Sequence, residues 1–269
     1  MACRHAFPRV SVAEAPVDPP SPRIAKPIVP KETTRLLFGV DSSRPASELL
    51  QNNLKLFEWV VRNKIFPCFW GRDLNGDTPL TSKEARFLHR QGCKIAATVV
   101  ATGAQETDEQ GILIAKQAAD KAQALGIPEG CAIFLVLEED KSVDRDFLRG
   151  FAGELLKKGF TPGFQMNTDA RFMFDREFSR GMQTNKAIFE NCLVWATAPA
   201  VSEYDNITTS HLIHPDEWIP YAPSGITRKE IALWRYGNKC HPIENDGGKT
   251  VTFNMNLVRN EQVITDKMF

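Results

Sequence analysis

Residues 132–140 read Ala-Ile-Phe-Leu-Val-Leu-Glu-Glu-Asp, six apolar residues ended by three acids. This predicts a strand buried on both faces that emerges at a polar rim. Unbroken apolar strands belong to parallel sheets covered by helices, whereas a sheet with one wet face alternates polar and apolar residues. The acids stand at the carboxyl end of the strand, where open α/β sheets and α/β barrels alike build their sites. Because side chains alternate along a strand, Glu138 and Asp140 are expected on one side and Glu139 on the other. Two carboxyls at a strand exit fit acid/base chemistry, or a metal or sugar site. The alternative is a solvated turn into the next helix, since acids also favour helix starts.

The same rhythm repeats on both sides of this stretch. Upstream, an apolar strand at 36–40 ends in Asp41, and a helix is expected over 45–63 from the spacing of Leu49, Leu50, Leu54, Phe57, Val60 and Val61. A second strand at 66–70 empties into 71–77. Thr81-Ser82-Lys83-Glu84 is a capping-box start for a helix that Gly92 closes. A third strand at 94–100 precedes a long helix stopped by Gly126 and Pro128. Downstream come a helix over 143–158, a strand at 161–167, a weaker helical stretch, and strands at 192–196, 231–236 and 251–257. Eight strands, the first five separated by helices, predict an α/β fold of the (β/α)8 TIM-barrel type. Its last third is irregular, with loop at 199–227 where a helix is due. A doubly wound sheet is the alternative, although no Gly-x-Gly-x-x-Gly turn follows the first strand, and the barrel is the expectation. Residues 1–34 hold 7 of the 17 prolines and few large apolar side chains, so they are expected as an extended arm or linker, with 35–269 as the barrel.

Composition narrows the function classes. Lys+Arg and Asp+Glu balance at 33 each, so no global field favours nucleic acid or an anionic membrane. No apolar run is long enough to span a bilayer, and residues 1–30 lack the apolar core of a signal peptide. The chain is therefore expected in the cytoplasm at synthesis, with any action on a cell wall requiring release or another export route. The 6 cysteines form no Cys-x-x-Cys, and Cys240-His241 has no second pair to complete a zinc site, so buried free thiols are expected, with no metal and no cofactor.

In a barrel, the strand exits converge on one mouth. The polar groups there are Asp41, Arg72 and Asp73, Glu138 and Asp140, Gln165 and Asn167, Trp195, Trp234 with Arg235 and Tyr236, and Asn254 with Asn256. Acids among Trp and Tyr suit a sugar, since carboxyls protonate a glycosidic oxygen and aromatic faces stack on the ring.

At these residues the chain resembles a known family. Phe38-Gly39-Val40-Asp41, Leu80-Thr81 with Glu84, Gly126-Ile127-Pro128 before Ile133-Phe134-Leu135-Val136 and acids, and Lys158-Gly159-Phe160-Thr161-Pro162-Gly163 follow in order. Trp195, Leu233-Trp234-Arg235-Tyr236 and Val251-Thr252-Phe253-Asn254-Met255-Asn256 continue the series. The pattern, over roughly residues 35–260, is similar to the glycoside-hydrolase-like barrels related to family 25 lysozymes (muramidases). The resemblance implies a barrel acting on the glycan of bacterial cell walls, with Glu138, Asp140 and Asp41 at the catalytic positions. It implies substrate contacts from Arg72, Gln165, Asn167, Trp195, Trp234, Arg235, Tyr236 and Asn254. The chain departs from that family where the strand-four pair is inverted (Glu138-Glu139-Asp140), where Asn254 replaces an acid, where Gln165 replaces an aromatic, and where Arg235 replaces Gln. Three readings follow. The first is a glycosidase acting on a peptidoglycan-type polysaccharide by carboxylate acid/base chemistry. The second is an inactive barrel that binds a glycan or protein partner through the same mouth. Last comes a metal-dependent hydrolase using the three acids as oxygen ligands.

Overall fold

The computed structural model describes residues 36–101, 103–137, 142–200, 218–241 and 251–269. The expected Pro-rich arm and both strand-four acids, Glu138 and Asp140, lie outside the described residues. Eight strands close into a single barrel in the order of the sequence. They are β1 (Leu37–Asp41), β2 (Phe69–Asp73), β3 (Lys94–Val100), β4 (Ala132–Val136), β5 (Thr161–Met166), β6 (Leu193–Ala196), β7 (Ile231–Cys240) and β8 (Phe253–Val258). Helices α1 (Leu56–Arg62), α2 (Ser82–Arg90), α3 (Asp108–Ala124) and α4 (Arg145–Lys157) each join one strand to the next. Helices α5 (Met173–Thr184) and α6 (Lys186–Phe189) together join β5 to β6, and α7 (Glu261–Lys267) follows β8. Among the described residues no helix is long and apolar enough to cross a membrane.

Strands β1 to β7 run parallel, but β8 is antiparallel to both of its neighbours, β7 and β1. The first residues of β8 therefore stand at the mouth beside the last residues of β1: Asn254 pairs with Asp41 and Asn256 with Gly39. The polar end of β8 reaches the mouth as the start of the strand, not as its exit.

Other elements differ from expectation for local reasons. The first helix spans only Leu56–Arg62, because residues 45–55 fold back through a Leu49–Lys55 bridge with Asn53 at φ 61°. Strand β2 sits three residues later than its apolar run, which brings Gly71, Arg72 and Asp73 inside the strand. Thr81 caps α2 by accepting from the Glu84 amide at 3.2 Å, but the Glu84 carboxylate leaves the box and turns to Arg72.

The barrel interior alternates small and large residues so that few rings fill it. Gly39 lies against Phe69, and Gly163 against Phe134; both rings meet Trp195 edge-on, at centroid distances of 5.9 and 5.3 Å. Gly71 leaves room for Asp41 and Trp195, whose atoms would stand 2.5 and 2.9 Å from a Cβ at that position. The small interior positions on β1, β2 and β5 thus make space for three rings below and one carboxylate above. Outside the barrel, α3 and α4 approach through Gly111 and Gly150, each against the backbone of the opposite helix.

Candidate functional site

A cavity of about 200 Å³ opens at the carboxyl end of the parallel strands. Its wall takes one inward residue or more from most of the ring: Asp41, Gly71 and Asp73, Thr98 and Val100, Val136, Gln165, Arg235 and Asn254, with Ser42 and Ser43 just beyond β1. Alternation explains the choice on each strand, since the residues two positions apart on β2 and on β3 share the inner face.

Asp41 is the centre of the polar network. Arg235 donates to it twice, Nε to Oδ1 at 3.2 Å and Nη2 to Oδ2 at 2.6 Å. Asn254 Nδ2 donates to Oδ2 at 2.8 Å and Asn256 Nδ2 to Oδ1 at 2.7 Å. A carboxylate offers about four acceptor positions, and four donors occupy them here. A ligand therefore meets this corner through the groups arranged around Asp41, not through the carboxylate itself. Beneath, Trp195 Nε1 donates to Asn256 Oδ1 at 2.9 Å, so the buried ring fixes the amide that fixes Asp41.

On the neighbouring strand β2, Asp73 accepts from Thr98 Oγ1 at 2.6 Å. Gln165 is 2% exposed, and its Nε2 is buried with no hydrogen-bond partner among the described residues. Burial raises the Cys240 thiol, with nearby Asp41 adding to the effect, to about 12; burial also pushes the Tyr236 phenol up. Neither is set up to exchange protons near neutral pH. Among the described residues no three His, Cys, Asp or Glu side chains gather as a metal site requires.

Of the expected site residues, Asp41, Gln165, Arg235 and Asn254 line the cavity. Arg72, expected at the mouth, points outward because it alternates with Gly71 and Asp73. It is fully buried between β2 and α2, with Nε on Glu84 Oε1 at 2.8 Å and Nη1 on the Ser42 and Ser43 carbonyls at 2.8 and 2.7 Å. Trp234 and Tyr236 likewise alternate with Arg235 and pack outside the barrel. Trp234 gives its indole N–H to the Pro199 carbonyl at 3.0 Å and meets Trp218 edge-on. Neither aromatic is available to stack on a sugar. Trp195 faces inward but lies fully buried beneath the cavity. Asn167 stands past the end of β5, where its Oδ1 accepts from the Asp169 amide at 3.0 Å. Asp73, Thr98, Ser42 and Ser43 line the cavity without having been assigned a role. The signal for Asp73 was available: it shares the face of Gly71, which pairs with Asp41.

The fold and site define the class as an α/β barrel with a carboxylate-centred polar cavity at its mouth. Residues 69–251 match the family described as the Rv2525c-like, glycoside hydrolase-like domain, and the chain belongs to that family. No functionally curated protein sequence matches it. Among solved structures, an uncharacterized B. stearothermophilus protein superposes with a TM-score of 0.69 at 21% identity, over 87% of this chain and 100% of the other. The Mycobacterium tuberculosis Tat-secreted protein Rv2525c, in complex with L-tartrate, gives 0.50 at 14% identity, over 84% and 96% of the two chains. The catalytic domain of endolysin ply40 from bacteriophage P40 of Listeria monocytogenes overlaps more loosely, at 0.47 and 15% identity, over 86% and 96%.

Proposed function

We propose that the chain acts on a cell-wall type glycan of the peptidoglycan class, bound at the barrel mouth, with Glu138 and Asp140 supplying carboxylate acid/base chemistry. The observation that carries this reading is the polar cavity itself, held open over the buried rings and walled by Val136, with Glu138 and Asp140 two and four residues further along the sequence. Family membership in a glycoside hydrolase-like domain supports the same class of ligand. In this reading Glu138 protonates the leaving oxygen and Asp140 stabilises the developing cation. Asp41 orients Arg235 and Asn254 towards the sugar.

A second reading is favoured by one specific feature. The carboxylate of Asp41 is filled by four donors, and Asn254 stands where the resembling lysozymes carry an acid. Both suit a barrel that binds a glycan without cleaving it. Reducing-sugar release from purified bacterial walls, with wild type and Glu138→Gln side by side, separates the two. Release by wild type that the variant loses supports hydrolysis. Equal, negligible release with walls still pulled down by both proteins sinks hydrolysis and leaves binding. Neither release nor retention of walls rejects both.

A further inference from the structure

Gln165 lines the cavity, yet its side-chain nitrogen is buried with no hydrogen-bond partner among the described residues. It sits on β5 between Val136 of β4 and Trp195 of β6 in register. Neither neighbour offers it an acceptor, and the Trp195 indole already donates to Asn256. Several other polar groups of the wall are already paired with one another. Asp41 is filled by Arg235, Asn254 and Asn256, and Asp73 Oδ1 takes the Thr98 hydroxyl. Asn254 Oδ1 accepts the Lys239 amide at 3.0 Å. The side-chain nitrogen of Gln165 therefore has no hydrogen-bond partner among the described residues, although the residue lines the cavity. An unpaired buried amide opposes folding, and an apolar residue of similar shape removes that penalty. Phe164 and Met166 on either side are apolar, so the strand itself has no need of an amide here.

We propose that Gln165 is the specificity-determining residue of the mouth, its Nε2 donating to an oxygen acceptor on a ring-sized group of the ligand. This rests on the reading of the mouth as a glycan site. The acceptor is an acyl carbonyl or a sugar hydroxyl; both present a lone pair to an N–H. A cavity of about 200 Å³ is below the roughly 300–1,000 Å³ of sites for drug-sized ligands, so it admits one ring and its substituent rather than a run of sugars. Stability given up for a group that works only with ligand is a common signature of functional positions.

The test compares wild type, Gln165→Leu and Gln165→Glu by calorimetric titration with three tetrasaccharides: chitotetraose, its fully de-N-acetylated form, and cellotetraose. Melting temperatures of the unliganded proteins are measured alongside. The leucine variant is expected to melt about 2–4 °C higher, the shift for roughly 1 kcal/mol in a chain of this size, yet to bind about tenfold more weakly, as loss of one hydrogen bond allows. The glutamate variant, nearly the same shape but without the N–H, is expected to lose affinity too. A loss confined to chitotetraose identifies the acyl carbonyl, and an equal loss on all three identifies a ring hydroxyl. Unchanged affinity in Gln165→Leu while wild type still binds overturns the proposal and leaves the glycan reading standing. A lower melting temperature in Gln165→Leu, showing that the amide serves the fold, also overturns it. If wild type binds none of the three, the glycan reading fails and takes this proposal with it.

Discussion

Arg235 and Asp41 meet across β8: one belongs to β7, the other to β1, and their two hydrogen bonds of 3.2 and 2.6 Å pass over the strand between them. Asn254 and Asn256, on that intervening strand, donate to the same carboxylate. The pair is largely buried, with the two side chains 17% and 11% exposed. Truncating one partner leaves the other charge and the two amides without their acceptor. Asp41→Ala is expected to lower unfolding stability by about 3–5 kcal/mol, as for other broken buried pairs. Urea unfolding checks this, and a loss below about 1 kcal/mol would show that the network is not holding the strands together.

The second buried pair, Arg72 with Glu84, works outside the barrel. Arg72 holds the carbonyls of Ser42 and Ser43, while Glu84 accepts the Ala46 amide at 2.7 Å. The pair thus ties α2 to the loop that forms one wall of the cavity. Arg72→Met is expected to cost about 3–5 kcal/mol, through the unpaired Glu84 and the orphaned carbonyls. Adding Glu84→Met should cost less than its own single change would predict, by about 0.5–3 kcal/mol of coupling. Strict additivity in the denaturation cycle would refute the linkage.

Helices α3 and α4 give a packing prediction. A Cβ on Gly150 would collide with the Asp108 carbonyl, and one on Gly111 with the backbone of Phe147 and Phe151. Backbone cannot rotate aside as a side chain can. Each Gly→Ala change should therefore destabilise by about 1–3 kcal/mol despite alanine's better helix propensity. Thermal unfolding of Gly150→Ala decides it; a rise in melting temperature would mean the helices separate without penalty.

The buried thiols set an alkaline limit. Burial raises Cys240 to about 12 and pushes Cys93, Cys131 and Cys192 up as well. An unfolded thiol releases its proton near 8.5. Above that pH the folded state holds more protons than the unfolded state, so stability falls as pH rises. The contribution is whole below about pH 8.5 and is lost on the way to 12. Cys240→Ala should flatten the slope of unfolding free energy against pH in that window. An unchanged slope would show that the thiol is not linked to folding.

The strands and helices up to β6 were legible because apolar runs and glycine stops report buried segments directly: Lys94–Val100 was expected and found with those bounds. The direction of β8 was not legible. A strand covered on both faces reads the same forwards and backwards, so nothing in Phe253–Val258 distinguishes an exit from an entry. Nor did the apolar run of β2 reveal its register, and the three-residue shift decides whether Arg72 or Asp73 meets the cavity. Trp234 and Tyr236 look like sugar platforms in the sequence; parity with Arg235 turns them into the coat of the barrel. Gln165 was legible as a site residue, but that its amide lacks a partner depends on neighbours brought in from β4 and β6.

Closure of the ring has a consequence for the order of assembly. The last seam joins Leu37–Asp41 to Phe253–Val258, the first and final strands of the barrel, at a sequence separation that nearly spans the described chain. Contacts this distant are slow to form, and until they do the sheet carries two unpaired edges. Asp41 receives two of its four donors from β8 and the other two from β7, so the polar cavity comes into being only as the seam seals. A nascent or half-unfolded ring retains its hydrophobic strands but has no mouth to offer a ligand; binding competence and ring closure arrive in the same event.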